Sequence, residues 1–600
     1  MAEQYITGSI AAPGFYGLNS QDSSVQLSSG FALEAKNCVI DRFGRIGARK
    51  GWTPINDDPA GSSAFKAIFE LVRDDGNTVI SCSGGKLYTG ETTLTEKKVM
   101  SSTVVTGGTY SQTGTVLTVT KAAHGLTVDK VVYLDFLTGA GTDGYYTVAT
   151  VPTVDTFTVT ATSATTSGNV SYIAQITYAI AADNWQISGM PYDTGAVGSA
   201  HAVLVQRDQA PLVYHKLGAN AHAHTLDYGF QRLGDIANLP HNHTVDTFKP
   251  NCILTAYGRT WVADIANDRQ TVYFSDLLDP TEWQVGTSGY LNISEVVPNN
   301  DPIVGLASHN GFLIIFCRRH IVVYKNAVDP AALALEDTIT GIGCIARDSI
   351  HSIGTDLIFL SETGVQSLQR VIQEKSLPFR DVSKNVRDAL LAYLPSEDED
   401  DIKGVYYPTD AIYLLALPSN KIVYCFDTRG VLENGAARTT MWDSIEPTAF
   451  CVTQDKRLLL GKAGYLANYT GYEDDTATYR FAYYTNYFDF DQPSTLKILK
   501  KINMIAIGGS GQPIIFKWAF DYNSNYQSGA LSLDRIVIAE YGVAEYGIAE
   551  YSNGIALDNV TTNASGTGRI LQLGFEADIN GSPLSIQKID FALKAGKTVM

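Results

Sequence analysis

The chain has 600 residues, of which 45% are hydrophobic, and its formal net charge is −18. This length is too great for one ordinary core and predicts two to four domains, or one large repeating architecture with appendages. The acidic balance disfavours a protein that grips nucleic acid by charge, because the densest basic stretch, 497–501, is short. It is compatible with an acidic channel along which DNA slides, because such a wall repels phosphate.

The cysteines and the apolar runs bear on where the chain folds. Its seven cysteines are scattered and include no C-x-x-C pair, which favours reduced thiols over a zinc site. The N-terminus lacks a basic region followed by an apolar one, and no run reaches the length that spans a bilayer. We therefore expect folding in cytoplasm, with neither a signal peptide nor stable membrane insertion.

The first predicted element is an extended segment, 1–60, that joins the body of the protein. Within it, "APGFYGLNSQDSSVQLSSGFALEAKNCVIDRFGRIGARKGW" (12–52) contains one stretch apolar enough to join a sheet, "GFALEAKNCVID". The following "RFGRIGARKGW" sets basic side chains among glycines, which predicts a flexible basic strip. Its arginines, Arg42, Arg45 and Arg49, are candidate interface residues. An ordinary N-terminal strand and loop is the alternative interpretation.

A repeated hairpin pattern follows over 61–100 and 173–475. Each repeat is a β-branched or aromatic run, a polar or glycine turn and a second such run. The repeats are "TVISCSGGKLY", "AVLVQRDQAPLVYH", "TWVADIANDRQTVYFSD", "FLIIFCRRHIVVYK", "LIFLSETGVQSL", "AIYLLALPSNKIVYCFD" and "RLLLGKAGYLANY". From Ala202 onward they start roughly 45 to 58 residues apart, which is the spacing of four-stranded propeller blades. We predict an all-β fold with a β-propeller-like body of repeated blades; sandwiches or barrels are the alternative.

The gap between the first two repeats is too long by one small module. Residues 101–172 fill it, and there the composition changes to Thr, Val and Gly, as in "GTDGYYTVATVPTVDTFTVTAT". Removing them restores the repeat spacing. They predict a small β module inserted in a blade loop, where insertions are tolerated.

One helix is predicted late in the body, in "SKNVRDALLAYLP", with Ser383 as its N-cap. Its apolar stripe consists of Val386, Leu390, Leu391 and Leu394. From 476 to 600 the pattern changes to longer alternating strands such as "RFAYYTNYFDF" and "PIIFKWAFDYN". These strands predict a C-terminal β-sandwich-like region.

A repeat-containing loop, "AEYGVAEYGIAEYSNG" (539–554), interrupts this region. Its five-residue period fits neither the helical period of 3.6 nor the strand period of two. We expect Tyr541, Tyr546 and Tyr551 to pack on a neighbouring chain, because tyrosine supplies contact area at low entropic cost. A mobile surface loop is the alternative.

Two motifs resemble known sites but lack the context that such sites need. "GAGTDG" (139–144) matches G-x-G-x-x-G, yet it leads into a strand rather than a helix, which predicts a turn. "SDLLDPTEW" (275–283) invites comparison with the Asp-box of propeller glycosidases, S-x-D-x-G-x-T-W. Its spacing differs and the glycine is absent.

Two H-x-H pairs, His222 with His224 and His241 with His243, are weak candidates for metal ligation. Alternation along a strand would place each pair on one face, but no carboxylate or cysteine stands at ligand spacing. Solvated loop histidines are therefore favoured. We predict no catalytic residue, no metal and no cofactor, and so a protein that is not an enzyme.

Several words of the sequence together resemble the tail nozzle, or tail tubular B, proteins of short-tailed bacteriophages. They are "GFYGLN", "GFALEAKNCVIDRFGRIGARKGW", "GRTWVAD", "VYFSDLLDPTEW", "GIGCIARDSI", "FLSETGVQSL" and "YYTNYFDFDQPSTLKILKKI". The resemblance covers most of the chain, from about residue 12 to about residue 505. The inserted module also looks like a β module of many phage structural proteins.

The resemblance implies a structural protein of the virion tail, assembled in host cytoplasm, whose copies form a homohexameric ring. Such a nozzle ring stacks below an adaptor, or tail tubular, ring, and DNA leaves through its lumen at infection without sequence-specific binding. Tail fibres are a further expected partner. The alternative is a tail-associated receptor-binding or glycan-degrading β-propeller, which a catalytic carboxylate pair in an aromatic-lined pocket would distinguish.

Overall fold

A computed structural model of the chain describes residues 5–24, 26–74, 76–191, 200–217, 228–354, 356–368, 381–508, 513–532 and 558–598. They form two compact units, one combining Met1–Ile55 with Cys344–Met600 and the other comprising Asn56–Gly343. Regular structure in both is nearly all β-strand, which confirms the predicted class. No helix in the described part of the chain is long and apolar enough to cross a membrane.

The N-terminal segment contributes short strands to the first unit. These are β1 (Tyr5–Ala11), β2 (Gly17–Leu18), β3 (Phe31–Lys36), β4 (Cys38–Ile40), β5 (Ile46–Ala48) and β6 (Trp52–Pro54). Each of them hydrogen-bonds within a sheet, and most of those sheets are built mainly from residues several hundred positions later. The segment is therefore integrated into the fold and is not a flexible basic strip, which corrects the sequence-based expectation.

The second unit is built from antiparallel four-stranded meanders. The first comprises β7 (Phe65–Leu71), β8 (Thr78–Ser83), β9 (Lys86–Thr89) and β10 (Thr95–Lys97). The strands of the inserted module are β11 (Val99–Thr120), β12 (Val131–Phe136), β13 (Gly144–Thr153) and β14 (Thr156–Gln175). The next meander comprises β15 (Gln186–Pro191), β16 (Ala200–Val205), β17 (Leu212–Lys216) and β18 (Tyr228–Arg232), followed by the short helix α1 (Leu233–Ile236).

Two further meanders complete the second unit. One contains β19 (Cys252–Ala256), β20 (Arg259–Ile265), β21 (Asp268–Phe274) and β22 (Gly289–Asn292). The other contains β23 (Ile303–His309), β24 (Phe312–Cys317), β25 (His320–Lys325) and β26 (Ala334–Thr340).

Successive meanders stack face to face, with a separate hydrophobic cluster between each pair. On β16, Ala202 and Leu204 belong to the cluster shared with β7–β9, whereas Val203 and Val205 belong to the cluster shared with β19–β21. A third cluster fills the space between the β19–β22 and β23–β26 meanders. Because alternate side chains of one strand enter opposite clusters, the central strands read as continuous apolar runs. This stacking of meanders is that of β-propeller blades, as predicted.

The inserted module leaves and re-enters its blade at one place. Its strands enclose a cluster of their own, which includes Leu117, Phe136 and Tyr172. At the junction the N–H of Ile176 donates to the carbonyl of Val99 at 3.0 Å. β11 also runs parallel to the end of β18, so module and blade share one sheet. The predicted insertion is confirmed, and "GAGTDG" runs from its β12–β13 connection into the first residue of β13.

Blade-like sheets continue in the first unit. Their strands are β27 (His351–Ser352), β28 (Leu357–Ser361), β29 (Gly364–Ser367), β30 (Lys403–Tyr407), β31 (Ile412–Leu417), β32 (Ile422–Val431), β33 (Ala437–Trp442), β34 (Ala449–Val452), β35 (Leu458–Gly461) and β36 (Leu466–Tyr469). β6 completes the β34–β36 sheet, with Trp52 opposite Tyr469. On β31, Leu414 and Leu415 enter different clusters, again because both faces of the sheet are covered.

The C-terminal region forms two packed sheets. Its strands are β37 (Tyr479–Phe488), β38 (Thr495–Gly508), β39 (Pro513–Phe520), β40 (Gln527–Ser532), β41 (Asp558–Asn563), β42 (Thr567–Gly568), β43 (Leu571–Ile579) and β44 (Leu584–Thr598). One sheet has the order β37-β43-β39-β40, and the other groups β38 with β44, β41 and β42. One cluster, including Phe575 and Phe591, contains residues of both sheets. This confirms the predicted sandwich-like region.

The predicted helix is shorter than expected. A 3-10 turn, Lys384–Val386, precedes α2 (Arg387–Tyr393). Ser383 does not cap it, because its Oγ accepts a hydrogen bond from the N–H of Val365 at 2.9 Å instead. Further 3-10 turns are Pro330–Ala332, Arg347–Ser349 and Leu394–Ser396.

The two compact units do not coincide with the predicted division. That division kept 61–100 and 173–475 in one body and gave 1–60, 101–172 and 476–600 as separate parts. The units instead separate between Ile55 and Asn56 and between Gly343 and Cys344. The predicted domain bounds stay a prediction.

Candidate functional site

Arg49 is the centre of a buried polar network in the first unit. Its guanidinium is fully buried and binds Asp474 through two bonds, Nη1 to Oδ1 at 2.9 Å and Nη2 to Oδ2 at 2.6 Å. Nη2 also donates to Ser444 Oγ at 2.6 Å, and the cation lies 4.1 Å from the ring centre of Tyr479. Asn37 joins the network by accepting from Arg49 Nε at 3.2 Å. These contacts satisfy a charge that would otherwise be costly to bury.

The other two candidate arginines lie on the β4–β5 turn. Arg45 is 2% exposed and its Nε donates to Asp41 Oδ2 at 2.6 Å, so it stabilises the turn from inside. Arg42 is exposed, with its guanidinium 4.7 Å from the ring of Phe43. Burial within the chain removes Arg45 and Arg49 from the surface, and of the three only Arg42 keeps the predicted exposure.

The structure describes one of the two histidine pairs. His241 is exposed, whereas His243 is packed against Tyr273, to whose hydroxyl its Nε2 lies at 3.1 Å. That hydroxyl donates to Asp268 at 2.7 Å. Burial acts to raise the pKa of Asp268, but the hydrogen bonds from His243, Thr271 and Tyr273 outweigh it and lower that pKa.

His243 therefore belongs to a packed hydrogen-bonded group rather than to an H-x-H ligand pair. Among the described residues no group of three His, Cys, Asp or Glu side chains is placed to hold a metal. His222 and His224 lie outside the described residues, as do Tyr541, Tyr546 and Tyr551.

In the "SDLLDPTEW" loop, carboxylates accept hydrogen bonds from nearby groups and so fix the conformation of the loop. Asp276 Oδ1 accepts from the N–H of Leu277 at 2.8 Å and from the N–H and hydroxyl of Thr287 at 2.9 and 2.6 Å. Glu282 Oε1 accepts from the N–H groups of Gln284 and Val285 at 2.8 and 3.0 Å. Both carboxylates hold backbone turns, a structural role.

A polar cleft of about 600 Å³ lies in the second unit, where the β7–β10 blade meets the β15–β18 blade. It is formed by the β7–β8 and β9–β10 connections and by the ends of β17 and β18. We call it the Arg73 cleft. Its lining residues are Arg73, Asn77, Thr78, Val79, Thr89, Gly90, Glu91, Thr93, Thr95, Lys97, Tyr214, Lys216 and Tyr228.

Strand register places an aromatic and basic group on one wall of the Arg73 cleft. Lys216 lies directly opposite Tyr228 on the neighbouring strand, and Tyr214 lies two residues before it on the same face. The Tyr214 and Tyr228 ring centres are 5.4 Å apart. Arg73 places its guanidinium carbon 4.1 Å from the Tyr228 ring centre, and the Lys216 ammonium lies 5.8 Å from that centre. Two cations thus face one ring.

The β7–β8 connection holds Arg73 in position. Its Nε donates to the carbonyl of Gly76 at 3.0 Å and its Nη2 donates to Thr78 Oγ1 at 2.9 Å. These bonds and the Tyr228 ring fix the guanidinium, so little side-chain entropy remains to be lost on binding.

The inserted module supports the other side of the Arg73 cleft. Lys97 places its ammonium 4.2 Å from the ring centre of Tyr145, which belongs to β13. The Tyr145 hydroxyl donates to the carbonyl of Tyr228 at 2.9 Å. Lys97 and Tyr228 are therefore connected through one module side chain.

The Arg73 cleft could not be predicted from the sequence. Its residues come from four connections and strand ends between positions 73 and 228, and none forms a local motif. The local sequence indicates this cleft only through the alternation "YHK" at the end of β17, which places an aromatic and a basic side chain on one face of the strand.

Comparisons with known proteins identify no family. No protein-family model and no curated protein matches the chain. Among solved structures, the chain is similar to a phage phi92 endosialidase (14% identity, TM-score 0.19, 57% of this chain and 69% of that chain). It is also similar to a putative 6-phosphogluconolactonase from Bacteroides uniformis (13%, 0.30, 60% and 92%) and to the Pan2 WD40 domain of Neurospora crassa (7%, 0.25, 60% and 89%). At these scores no functional argument follows, and the fold rests on the chain's own sheets.

Proposed function

We propose that this chain is a structural subunit of a short-tailed bacteriophage tail: a nozzle protein whose copies, about six, close into a ring at the distal end of the DNA channel. Its partners are further copies of itself and the adaptor ring above it. Tail fibres are a further partner. Its place is the virion tail, and it performs no catalysis.

The supporting observation is that sequence segments that carry the family resemblance, although far apart in the chain, pair with each other in the first unit. "GFALEAK" forms β3, which pairs with β37 from "YYTNYF", with Ala35 opposite Tyr483. Asn37 Nδ2 donates to the carbonyl of Arg480 at 2.8 Å, just before that word. The resemblance therefore concerns the framework of the unit, which relatives with the same architecture would have to retain.

A second support is the nature of the framework itself. Arg49, from "RKGW", is bonded to Asp474, so the N-terminal words are tied to the start of the C-terminal region. A subunit that lines a DNA channel has to keep its shape while the duplex passes, and buried bidentate pairs hold one geometry.

Electron microscopy of the purified chain, with a parallel mass measurement, tests the proposal. We expect rings with a through-going pore wide enough for duplex DNA, about 20 Å or more. The particle mass should be about six times the chain mass of 65.0 kDa. Monomers alone would call for the same measurement after mixing with the adaptor protein of the same phage. Monomers there as well would refute the proposal.

A glycan-turnover assay separates the proposal from its alternative. Host polysaccharide is incubated with the chain, and released reducing ends are measured. We expect no release above the buffer control. Sustained release, abolished by heat denaturation, would instead favour a glycan-degrading propeller.

A further inference from the structure

The inserted module contains an opening where its sheet divides. β13 pairs with β12 up to Thr147 and with β14 from Val148 onward. On the side that faces these two strands, β14 pairs with β13 up to Val159 and with β12 from Val170. Among the described strands of the module, neither β12 nor β13 therefore pairs with 160–169.

The opening forms a groove of about 650 Å³, which we call the module groove. Its lining comes mainly from 145–149 of β13 and 160–164 of β14. A space of this size falls within the range of sites that hold small molecules.

Gln112 supplies a buried amide to the lining of the module groove. The side chain is 4% exposed, and its Nε2 donates to the carbonyls of Gly114 at 3.0 Å and Thr162 at 2.6 Å. These two bonds use both amide hydrogens and fix the amide group. Its Oε1 accepts no hydrogen bond from the residues that the structure describes, and it is not sealed from solvent. The position therefore favours a ligand that donates a hydrogen bond.

The charge of the module groove favours a neutral ligand. Among the described residues that line it, Asp129 is the one carboxylate, and none is Lys, Arg or His. An anionic ligand would find no cation there and would be repelled by Asp129. The carboxylate of Asp129 can instead accept from hydroxyl groups, as Gln112 Oε1 can.

Small polar side chains make up much of the remaining lining. Ala149 and Ala161 leave room between the two strands. Hydroxyl groups both donate and accept, so they complement the hydroxyl groups of a sugar. The exposed hydroxyl side chains that line the module groove are Thr142, Thr147, Thr160, Thr162 and Ser163.

Tyr146 adds a fixed aromatic side chain to the lining. Its hydroxyl donates to the carbonyl of Thr142 at 2.6 Å, and its ring lies perpendicular to that of Phe136, with the ring centres 6.4 Å apart. An aromatic side chain offers apolar surface to the C–H groups of a sugar ring. One aromatic group among several polar ones is typical of a site that orients a small polar ligand.

An extended peptide is the competing occupant, because it could pair with 160–164. Two features disfavour it. The carbonyl of Thr162, in the middle of that segment, already accepts from Gln112. Strand addition also gains its specificity from pockets for alternate side chains, whereas this lining consists largely of short hydroxyl and methyl groups. We propose that the module groove binds a neutral oligosaccharide, which goes beyond the structural role proposed above.

A glycan array probed with the labelled full chain tests the inference. The probes are neutral oligosaccharides of glucose, galactose, mannose and N-acetylhexosamines, from disaccharides to hexasaccharides. Sialylated and sulfated glycans on the same array are the charged controls. We expect binding of neutral glycans and not of charged ones. Isothermal titration calorimetry with the most strongly bound neutral glycan should then give saturable binding near one per chain.

Variants of the module groove locate the site. Ala149→Trp fills the groove and should abolish binding. Asp129→Asn should weaken it about tenfold or more, the usual effect of losing a hydrogen bond to a charged group. Gln112→Leu should weaken it as well, but it also leaves the carbonyls of Gly114 and Thr162 without their donor. Circular dichroism therefore confirms folding of each variant, and the two exposed positions test the groove independently of Gln112.

Val154→Trp is the matched control for Ala149→Trp. Val154 is 68% exposed, lies in the β13–β14 connection of the same module and does not line the module groove. The substitution adds the same ring at an exposed position and should leave binding unchanged.

Three outcomes would overturn the inference. The first is the absence of neutral-glycan binding by the folded wild-type chain, including the case in which an array of random linear peptides binds instead. The second is equal weakening by Ala149→Trp and Val154→Trp, which would place binding elsewhere. The third is tighter binding of the charged glycans. Ring assembly is measured separately, so failure here leaves the nozzle proposal standing.

Discussion

At the residue scale, the first unit contains a buried ion pair, Arg49 with Asp474, whose groups bond to each other and to their neighbours. Arg49 donates two short hydrogen bonds to Asp474, and it donates further bonds to Ser444 and Asn37. A buried ion pair adds little compared with an apolar pair of the same shape, but removal of one partner leaves the other charge without compensation.

Arg49→Met should therefore lower the free energy of unfolding by about 3–5 kcal/mol, the usual cost of breaking a buried pair. Urea denaturation followed by circular dichroism measures it. Arg42→Met, on the exposed neighbouring turn, is the control and should change stability by at most about 0.5 kcal/mol. Equal effects of the two substitutions would contradict the proposed importance of the network.

The ionisation of Asp381, unlike that of the Arg49–Asp474 pair, makes the charged form unfavourable in the folded state. Burial raises its pKa to about 6, although Arg387, 3.7 Å away, and Ser383 act to lower it. The folded state therefore binds the proton more tightly than the unfolded state. The protonated Asp381 carboxyl contributes fully to folding stability below the ordinary carboxyl pKa. That contribution is lost as pH rises through about 6.

Asp381→Asn should accordingly stabilise the chain at pH 7, by up to roughly 3 kcal/mol for a pKa difference of about two units. The advantage over wild type should shrink as pH falls from 6 toward 4. Urea denaturation at a series of pH values checks this. Parallel stability profiles for the two proteins would show that Asp381 does not titrate in this range.

At the element scale, the inserted module is joined to its blade by adjacent chain ends. Met100 lies opposite Gln175, and Ile176 bonds to Val99, so the module can leave without separating the blade strands. It also has its own hydrophobic cluster. Excision would remove a small apolar contact between Met100, Tyr133, Ile173 and Leu217. It would also remove the contacts of Tyr145 with the Tyr228 carbonyl and with Lys97.

Replacing 101–174 by two glycines should leave the rest of the chain folded. We expect a cost of about 2–3 kcal/mol from newly exposed Met100 and Leu217. The module expressed alone should fold, because it buries its own core. Circular dichroism and thermal melting of both products check the prediction, and an unfolded module would contradict it.

At the scale of the whole molecule, charge sets the relation to nucleic acid. The net charge of −18 repels phosphate over distances set by the ionic strength. A channel subunit benefits from that, because DNA that binds its wall would not leave quickly.

Duplex DNA should not bind the purified chain at about 0.15 M salt, with protein on the order of 10 µM. A gel-shift assay with random-sequence duplex measures this. Lowering the salt should not produce a complex, because no counterion release favours one. A shift that strengthens steeply as salt falls would show a basic surface that the net charge conceals.

Patterns of residue type determined the fold class, the repeated blades, the inserted module and the C-terminal sandwich. Each of these follows from local rules: alternation, turn residues and composition act within about ten residues, and a change in them marks a change of element. The runs "FLIIFC" and "IYLLAL" could be assigned to blades because both faces of a central strand are covered.

Only the tertiary structure decided which charges are buried and which residues meet. The glycines around Arg45 and Arg49 predicted flexibility, yet Asp41 and Asp474 bind these arginines inside the first unit. Ser383 was predicted to cap a helix, but its Oγ accepts a hydrogen bond from the N–H of Val365. The Arg73 cleft likewise joins residues 73 to 228 across two blades. Such partners lie far apart in sequence, and a single sequence holds no record of which distant residues pack together.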